Sequence, residues 1–162
     1  MTRVGVLTVS DRSHRGERVD LSGPIIREMV QSSIAGSQVT AEAVVPDEFQ
    51  VIRDVLLEWV DERGLELILT TGGTGFAARD VTPEATTVVL DRQAPGFAEA
   101  MRSAGLLVTP HAMLSRAVAG IRHHTLIVNL PGSPKAVREN LDVILPALPH
   151  ALALLRGETP DG

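Results

Sequence analysis

Three glycines fall within four residues at Gly72-Gly73-Thr74-Gly75, directly after the apolar run Leu67-Ile68-Leu69-Thr70-Thr71, and Phe76-Ala77-Ala78-Arg79-Asp80-Val81 then leads into Thr82-Pro83-Glu84. Glycine allows positive φ and lets a ligand approach the backbone, while Thr-Pro-Glu is a common way to open a helix. Strand, glycine loop and helix start in that order suit a phosphate held by backbone N–H groups, some supplied by the helix beginning at Thr82. Gly75 is expected to be needed for its backbone conformation. A P-loop is excluded because no Gly-Lys-Ser/Thr follows. Gly73, Gly75 and Ala78 meet a loosened dinucleotide spacing, but that motif follows a first strand and runs straight into its helix, whereas Pro83 delays this one.

Two acids stand beside such loops. Asp47 follows a strand-like run in Val45-Pro46-Asp47-Glu48, and Asp80 precedes the helix start at Thr82. The plain structural reading of each is a helix cap or dipole partner. Taken together they make sense as Mg²⁺ anchors, since carboxylates alone would repel phosphates. Ser10-Asp11 and Pro131-Gly132-Ser133 also follow strand-like runs, so one crevice can collect all four loops. His123 and His124 are adjacent on extended chain, point to opposite faces, and are expected in solvent rather than on a metal.

The elements that must position these residues are legible from hydrophobic spacing. Val4–Val9, Val39–Val45, Leu65–Thr70, Ala117–Ile121 and Leu126–Leu130 read as strands. A polar, mobile loop is expected over Ser13–Arg18, then a helix capped by Ser22 that carries Ile25, Ile26, Met29 and Val30 on one face. Asp47 opens a helix whose Ile52, Val55, Leu56 and Trp59 share a face, so Trp59 belongs to the core. Two short helices follow Thr82, the first reaching Val88, Val89 and Leu90, and Pro134 opens the last long helix. Strands alternating with helices predict an α/β protein, a three-layer α/β/α sandwich with a mostly parallel sheet and one domain. In such folds ligands bind at the carboxyl ends of the strands, beside a switch in strand order.

Composition narrows the function further. The chain has 162 residues, 44% of them hydrophobic, which is enough for one core. Twenty acidic against fifteen basic residues give a net charge of -5, and three Phe, one Trp and no Tyr offer little to stack on bases, so no nucleic-acid partner is expected. There is no cysteine. No membrane span or signal peptide is indicated, and a cytoplasmic location is expected.

The motifs Thr71-Gly72-Gly73-Thr74-Gly75-Phe76, Arg79-Asp80-Val81-Thr82-Pro83-Glu84-Ala85-Thr86, Val45-Pro46-Asp47-Glu48, Leu114-Ser115-Arg116 and Asn129-Leu130-Pro131-Gly132-Ser133-Pro134 together closely resemble the MogA/MoaB family of molybdenum cofactor biosynthesis. They also resemble the adenylyltransferase domains of gephyrin and its plant counterparts. The resemblance runs from about Val4 to Leu155. It implies a molybdopterin-binding domain over residues 1–157, with 158–162 as a frayed tail, and adenylylation of molybdopterin by ATP with Mg²⁺, releasing pyrophosphate. Carried over by motif, Asp47 and Asp80 are the catalytic and Mg²⁺-holding pair. Ser10, Asp11, Gly72, Gly73, Thr74 and Gly75 are implied to receive the nucleotide. Ser115, Asn129, Pro131, Gly132, Ser133 and Lys135 are implied to lie near molybdopterin. A homotrimer, or a hexamer in some MoaB forms, is implied, as is a separate molybdenum-insertion protein downstream. The alternative is a MoaB-type scaffold that binds molybdopterin without adenylylating it. Ala78 and Gly105 depart from many relatives.

Overall fold

Alternation in the first strand decides the layering. In β1 (Thr2–Val9) the buried Val4 and Val6 join the core on one face of the sheet, and Leu7 and Val9 join the core on the other. Gly5 between them is a close-approach position, because a methyl group there would lie 2.6 Å from the ring of Trp59. Trp59 is only 3% exposed, as its helical spacing predicts.

The computed structural model describes residues 1–158. After β1 come α1 (Asp11–His14), α2 (Ser22–Ser33), β2 (Ser37–Val45) and α3 (Phe49–Leu57), the last continued by a π turn over Glu58–Glu62. Then follow β3 (Leu67–Thr71), α4 (Thr82–Thr87), β4 (Arg92–Gln93), α5 (Gly96–Leu106) and a 3-10 turn at Pro110–Leu114. The chain closes with β5 (Ala119–Arg122), β6 (Thr125–Leu130), α6 (Pro134–Ile144), the turn Leu145–Ala147 and α7 (Leu148–Leu155). One six-stranded sheet has the order β2-β1-β3-β6-β5-β4. The first four of these pair in parallel, whereas β5 is antiparallel to β6 and β4 to β5. From β1 the chain steps to β2 on one side and later to β3 on the other, which makes the β1/β3 boundary the switch point. Ile26, Val30, Met101, Leu141, Leu148 and Leu152 cover one face, and Ile52, Leu56 and Ala85 the other, completing the single-domain three-layer α/β sandwich. Each fully buried Leu or Ile contributes about 1.5–3 kcal/mol.

Several local expectations are corrected. Residues 13–18 do not form a continuous loop: Ser10 caps a helical turn by accepting from the Ser13 N–H at 3.1 Å. Ser22 does not cap α2; Asp20 does, its Oδ1 accepting from the N–H groups of Ser22 and Gly23, both at 3.1 Å. α4 stops at Thr87, short of Val88-Val89-Leu90, where β-branched residues disfavour helix. The second helix after Thr82 is present as α5, 11 residues long. His123 and His124 form the β5/β6 turn, with His123 at φ 52, and both are exposed. Apart from Glu158, which pairs with Arg156 at 2.9 Å, the expected frayed tail lies outside the described residues.

Candidate functional site

The loops after β1 and β2 grip each other through two acids. The Asp11 N–H donates to Asp47 Oδ2 at 2.9 Å, and the Asp47 N–H donates to Asp11 Oδ1 at 3.0 Å. Asp47 therefore does not cap α3, whose N-cap Glu48 makes no side-chain bond. Asp80 does not cap α4 either: its Oδ2 accepts from the Ala77 N–H at 3.0 Å, inside the loop. The cap explanation thus fails for each acid at the helix it precedes.

Positive φ falls on Gly72 (φ 96) and Gly73 (φ 70), not on Gly75, which corrects the expectation for that residue. A side chain at Gly72 would collide with the Val9 carbonyl, and one at Gly73 with the Thr82 hydroxyl. Gly75 is small for another reason, since a methyl group there would meet Asp80 Oδ2 at 3.0 Å. On the opposite side a methyl group on Gly73 would lie 3.1 Å from Asp47 Oδ1, so each acid leans on one glycine. The Gly72 N–H donates to the Leu130 carbonyl, and Thr82 donates to the Gly73 carbonyl. Among the described residues, the N–H groups of Gly73, Thr74 and Gly75 donate to no protein acceptor. The loop therefore holds free donors, while at the α4 start Thr82 is engaged and Pro83 has none.

Two clefts open at the carboxyl ends of the strands. The first, of about 380 Å³, is lined by Ser10, Asp47, Gly72, Gly73, Asp80 and Ser133, with Gly132 and Thr71 beside them. The second, of about 210 Å³, holds Ser115, Pro131, Gly105 and His111. The two meet along Pro131-Gly132-Ser133. That segment is tied to its surroundings by Thr71 Oγ1 donating to the Pro131 carbonyl at 2.6 Å and Ser22 Oγ donating to the Gly132 carbonyl at 2.7 Å. Ser133 Oγ also accepts from the Ala136 N–H at 3.2 Å as the cap of α6.

Five expected site residues line neither cleft as ligand groups. Asn129 is 0% exposed, and its side chain donates to Thr70 and Thr86 and accepts from the Val118 N–H, so it positions β6 and touches no ligand. The side chain of Lys135 is 81% exposed and faces Glu139. Thr74 and Gly75 present backbone to Arg116. Asp11 is held by Arg79 at 2.5 and 3.0 Å, acting as a brace for Asp47.

Two arginines in the quoted motifs take roles that sequence spacing does not announce. Arg79 is the counter-ion of Asp11; its hydrogen bond lowers the Asp11 carboxyl to about 2. Arg116 clamps the glycine loop: its N–H donates to the Thr74 carbonyl, its guanidinium to the Gly75 and Asp80 carbonyls at 2.8 and 2.7 Å, and to Glu84 at 2.6 and 3.1 Å. Asp47 differs from Asp11. Burial pushes its carboxyl up, and the charges of Asp11 and Asp80 add to this, so the site is short of positive charge.

Two carboxylates on one cleft are hard oxygen donors that fit Mg²⁺, which takes one or two protein carboxylates and completes its shell with water and phosphate. Among the described residues there is no group of three or more His, Cys, Asp or Glu that could hold a metal ion. No helix among them is long and apolar enough to cross a membrane.

Known proteins share this architecture. The molybdopterin biosynthesis enzyme MoaB from Thermus thermophilus has a crystal structure 57% identical in sequence, matching 98% of this chain and 98% of its own with a TM-score of 0.90. The molybdopterin adenylyltransferase of Helicobacter pylori is 44% identical over 154 residues, which cover 95% of this chain and 88% of that protein. Gephyrin from Dictyostelium discoideum is 49% identical over 163 residues, and the match spans 96% of this chain but 23% of gephyrin. Residues 5–150 match the family described as "Probable molybdopterin binding domain", and the chain belongs to that family.

Proposed function

We propose that this protein is a molybdopterin adenylyltransferase that works in the cytoplasm and transfers AMP from ATP to the terminal phosphate of molybdopterin. The observation that carries the reading is the convergence of Asp47 and Asp80, neither used as the cap of the helix it precedes, on one cleft with the glycine loop. The relatives named above support it. In this reading Asp47 and Asp80 hold Mg²⁺, which when bound supplies charge neutralisation at the reacting phosphates. The free N–H group of Gly73 orients the triphosphate, and the second cleft, with Ser115 and Pro131, takes the pterin end. A phosphate oxygen of molybdopterin attacks the α-phosphorus and pyrophosphate leaves. Chemistry of this kind depends on positioning and electrostatics more than on a side-chain nucleophile, so the lack of cysteine is no obstacle. A symmetric oligomer, most simply a trimer, and a molybdenum-insertion protein as recipient of the product belong to the same reading.

The test is single-turnover adenylylation with purified molybdopterin, ATP and saturating Mg²⁺. Stoichiometric adenylyl-molybdopterin and pyrophosphate are expected. Molybdopterin binding without either product would replace the enzyme by a scaffold.

A further inference from the structure

The first cleft is acidic where its ligand is anionic. Of its lining residues Asp20, Asp47 and Asp80 are acids and Arg18 is the one cation. Asp20 is spent within the protein, its carboxylate accepting from Thr8 Oγ1 at 2.8 Å and from two backbone N–H groups. The nearby Arg79 and Arg116 are likewise spent, on Asp11 and Glu84. Arg18 is different: it is exposed, and among the described residues it forms no ion pair or hydrogen bond. Its neighbours Val19 and Leu21, 76% and 58% exposed, also line the cleft, so with Asp20 engaged Arg18 is the unpaired charge of this lip among the described residues.

From this arrangement we infer that Arg18 holds the β- and γ-phosphates of ATP and receives them as the leaving pyrophosphate. The inference rests on the adenylylation reading above and deepens it. The acids occupy the half-buried part of the cleft and Arg18 its open rim. A triphosphate whose α-phosphorus reacts beside Asp47 and Asp80 therefore directs its distal phosphates toward the rim. As the new bond forms from the molybdopterin phosphate oxygen to the α-phosphorus, the bond from that phosphorus to the bridging oxygen breaks. The electron pair stays on the bridging oxygen, and charge grows on the departing pyrophosphate. A guanidinium fork meets that charge with paired N–H donors, and no further reactant is required.

The test compares wild type, Arg18→Ala and Arg18→Lys in Mg²⁺ buffer, by calorimetric titration with inorganic pyrophosphate and with AMP and by single-turnover adenylylation. Arg18→Ala is expected to weaken pyrophosphate binding about tenfold or more, and to slow adenylylation about 10–100-fold, the scale of one lost charge-stabilising contact. AMP affinity and the melting temperature should stay at wild-type values, because Arg18 has no partner among the described residues. Arg18→Lys should recover part of the loss by restoring charge without the fork. Wild-type pyrophosphate affinity in Arg18→Ala, alongside normal turnover of the wild-type protein, overturns the inference and leaves the adenylylation reading standing. A wild-type protein that binds neither ATP nor pyrophosphate removes that reading and the inference with it.

Discussion

Burial, with the neighbouring charges of Asp11 and Asp80, raises the Asp47 carboxyl, so its ionised form is disfavoured by the fold. Asparagine at this position keeps an oxygen for the Asp11 N–H and removes the charge. Asp47→Asn should therefore melt at or above the wild-type temperature, while adenylylation in a single turnover falls about a hundredfold or more, the usual scale for one lost electrostatic contact. Asp80→Asn should lose turnover similarly and stay folded. A lowered melting temperature with normal turnover would make these acids structural. The Arg116–Glu84 clamp adds a pH dependence. The hydrogen bond from Arg116 lowers the Glu84 carboxyl, so the folded value lies below the unfolded one, near 4.5. The sign follows: the stabilisation is complete above the unfolded value and is lost as pH falls below it. Both partners are partly exposed, so the effect is about 1 kcal/mol or less after solvent screening. The stability difference between wild type and Glu84→Gln in urea titrations should be constant above about pH 5.5 and shrink toward pH 3, since titration spans about one unit each side of a pKa.

The glycine loop gives an ordering that local geometry decides. Alanine at Gly72 meets both positive φ and a backbone carbonyl that cannot retreat; alanine at Gly73 meets positive φ and the Thr82 hydroxyl. Each should lose about 1–3 kcal/mol from the backbone conformation alone, Gly72→Ala the more. Gly75→Ala has no such penalty and should fold normally, yet it presses on Asp80 and should slow turnover. Chemical denaturation of the three variants, paired with activity, checks the order. The sequence could not give it, because Gly-Gly-Thr-Gly marks a tight loop without saying which glycine carries the positive φ. Other elements were plain: Val4–Val9 and Leu67–Thr71 announce buried parallel strands, and Trp59 its core face. β4 was illegible because Arg92-Gln93 is two exposed residues with no pattern, paired only through tertiary contact. Arg116 was quoted in a motif yet silent about its role, since its partners lie 32–42 residues away in the chain.

For the molecule as a whole, apolar surface is the remaining feature. In the Ala/Leu-rich end after Pro146, Leu148 and Leu152 are buried in the core, while Leu154 is 54% exposed. Other exposed apolar side chains include Leu107, 90% exposed, Val108 and Met113, and a groove of about 350 Å³ lies between Phe97, Ala100 and Val143. Surface of this kind favours self-association. Sedimentation at micromolar concentration should show an oligomer, with a trimer expected, and Leu107→Asp should shift it toward monomer without lowering secondary-structure content. The clefts, for their part, are tied together: Gly72 N–H to Leu130 and Arg116 N–H to Thr74 each join segments distant in sequence, and Thr82 N–H to Gly73 closes the loop between them. Breaking one contact does not free the others, so this end of the molecule opens as a unit. In deuterium exchange these three amide protons should leave together at one shared rate, slower than those of the exposed Arg15–Leu21 lip, and ligand entry should be timed by the lip rather than by the cradle.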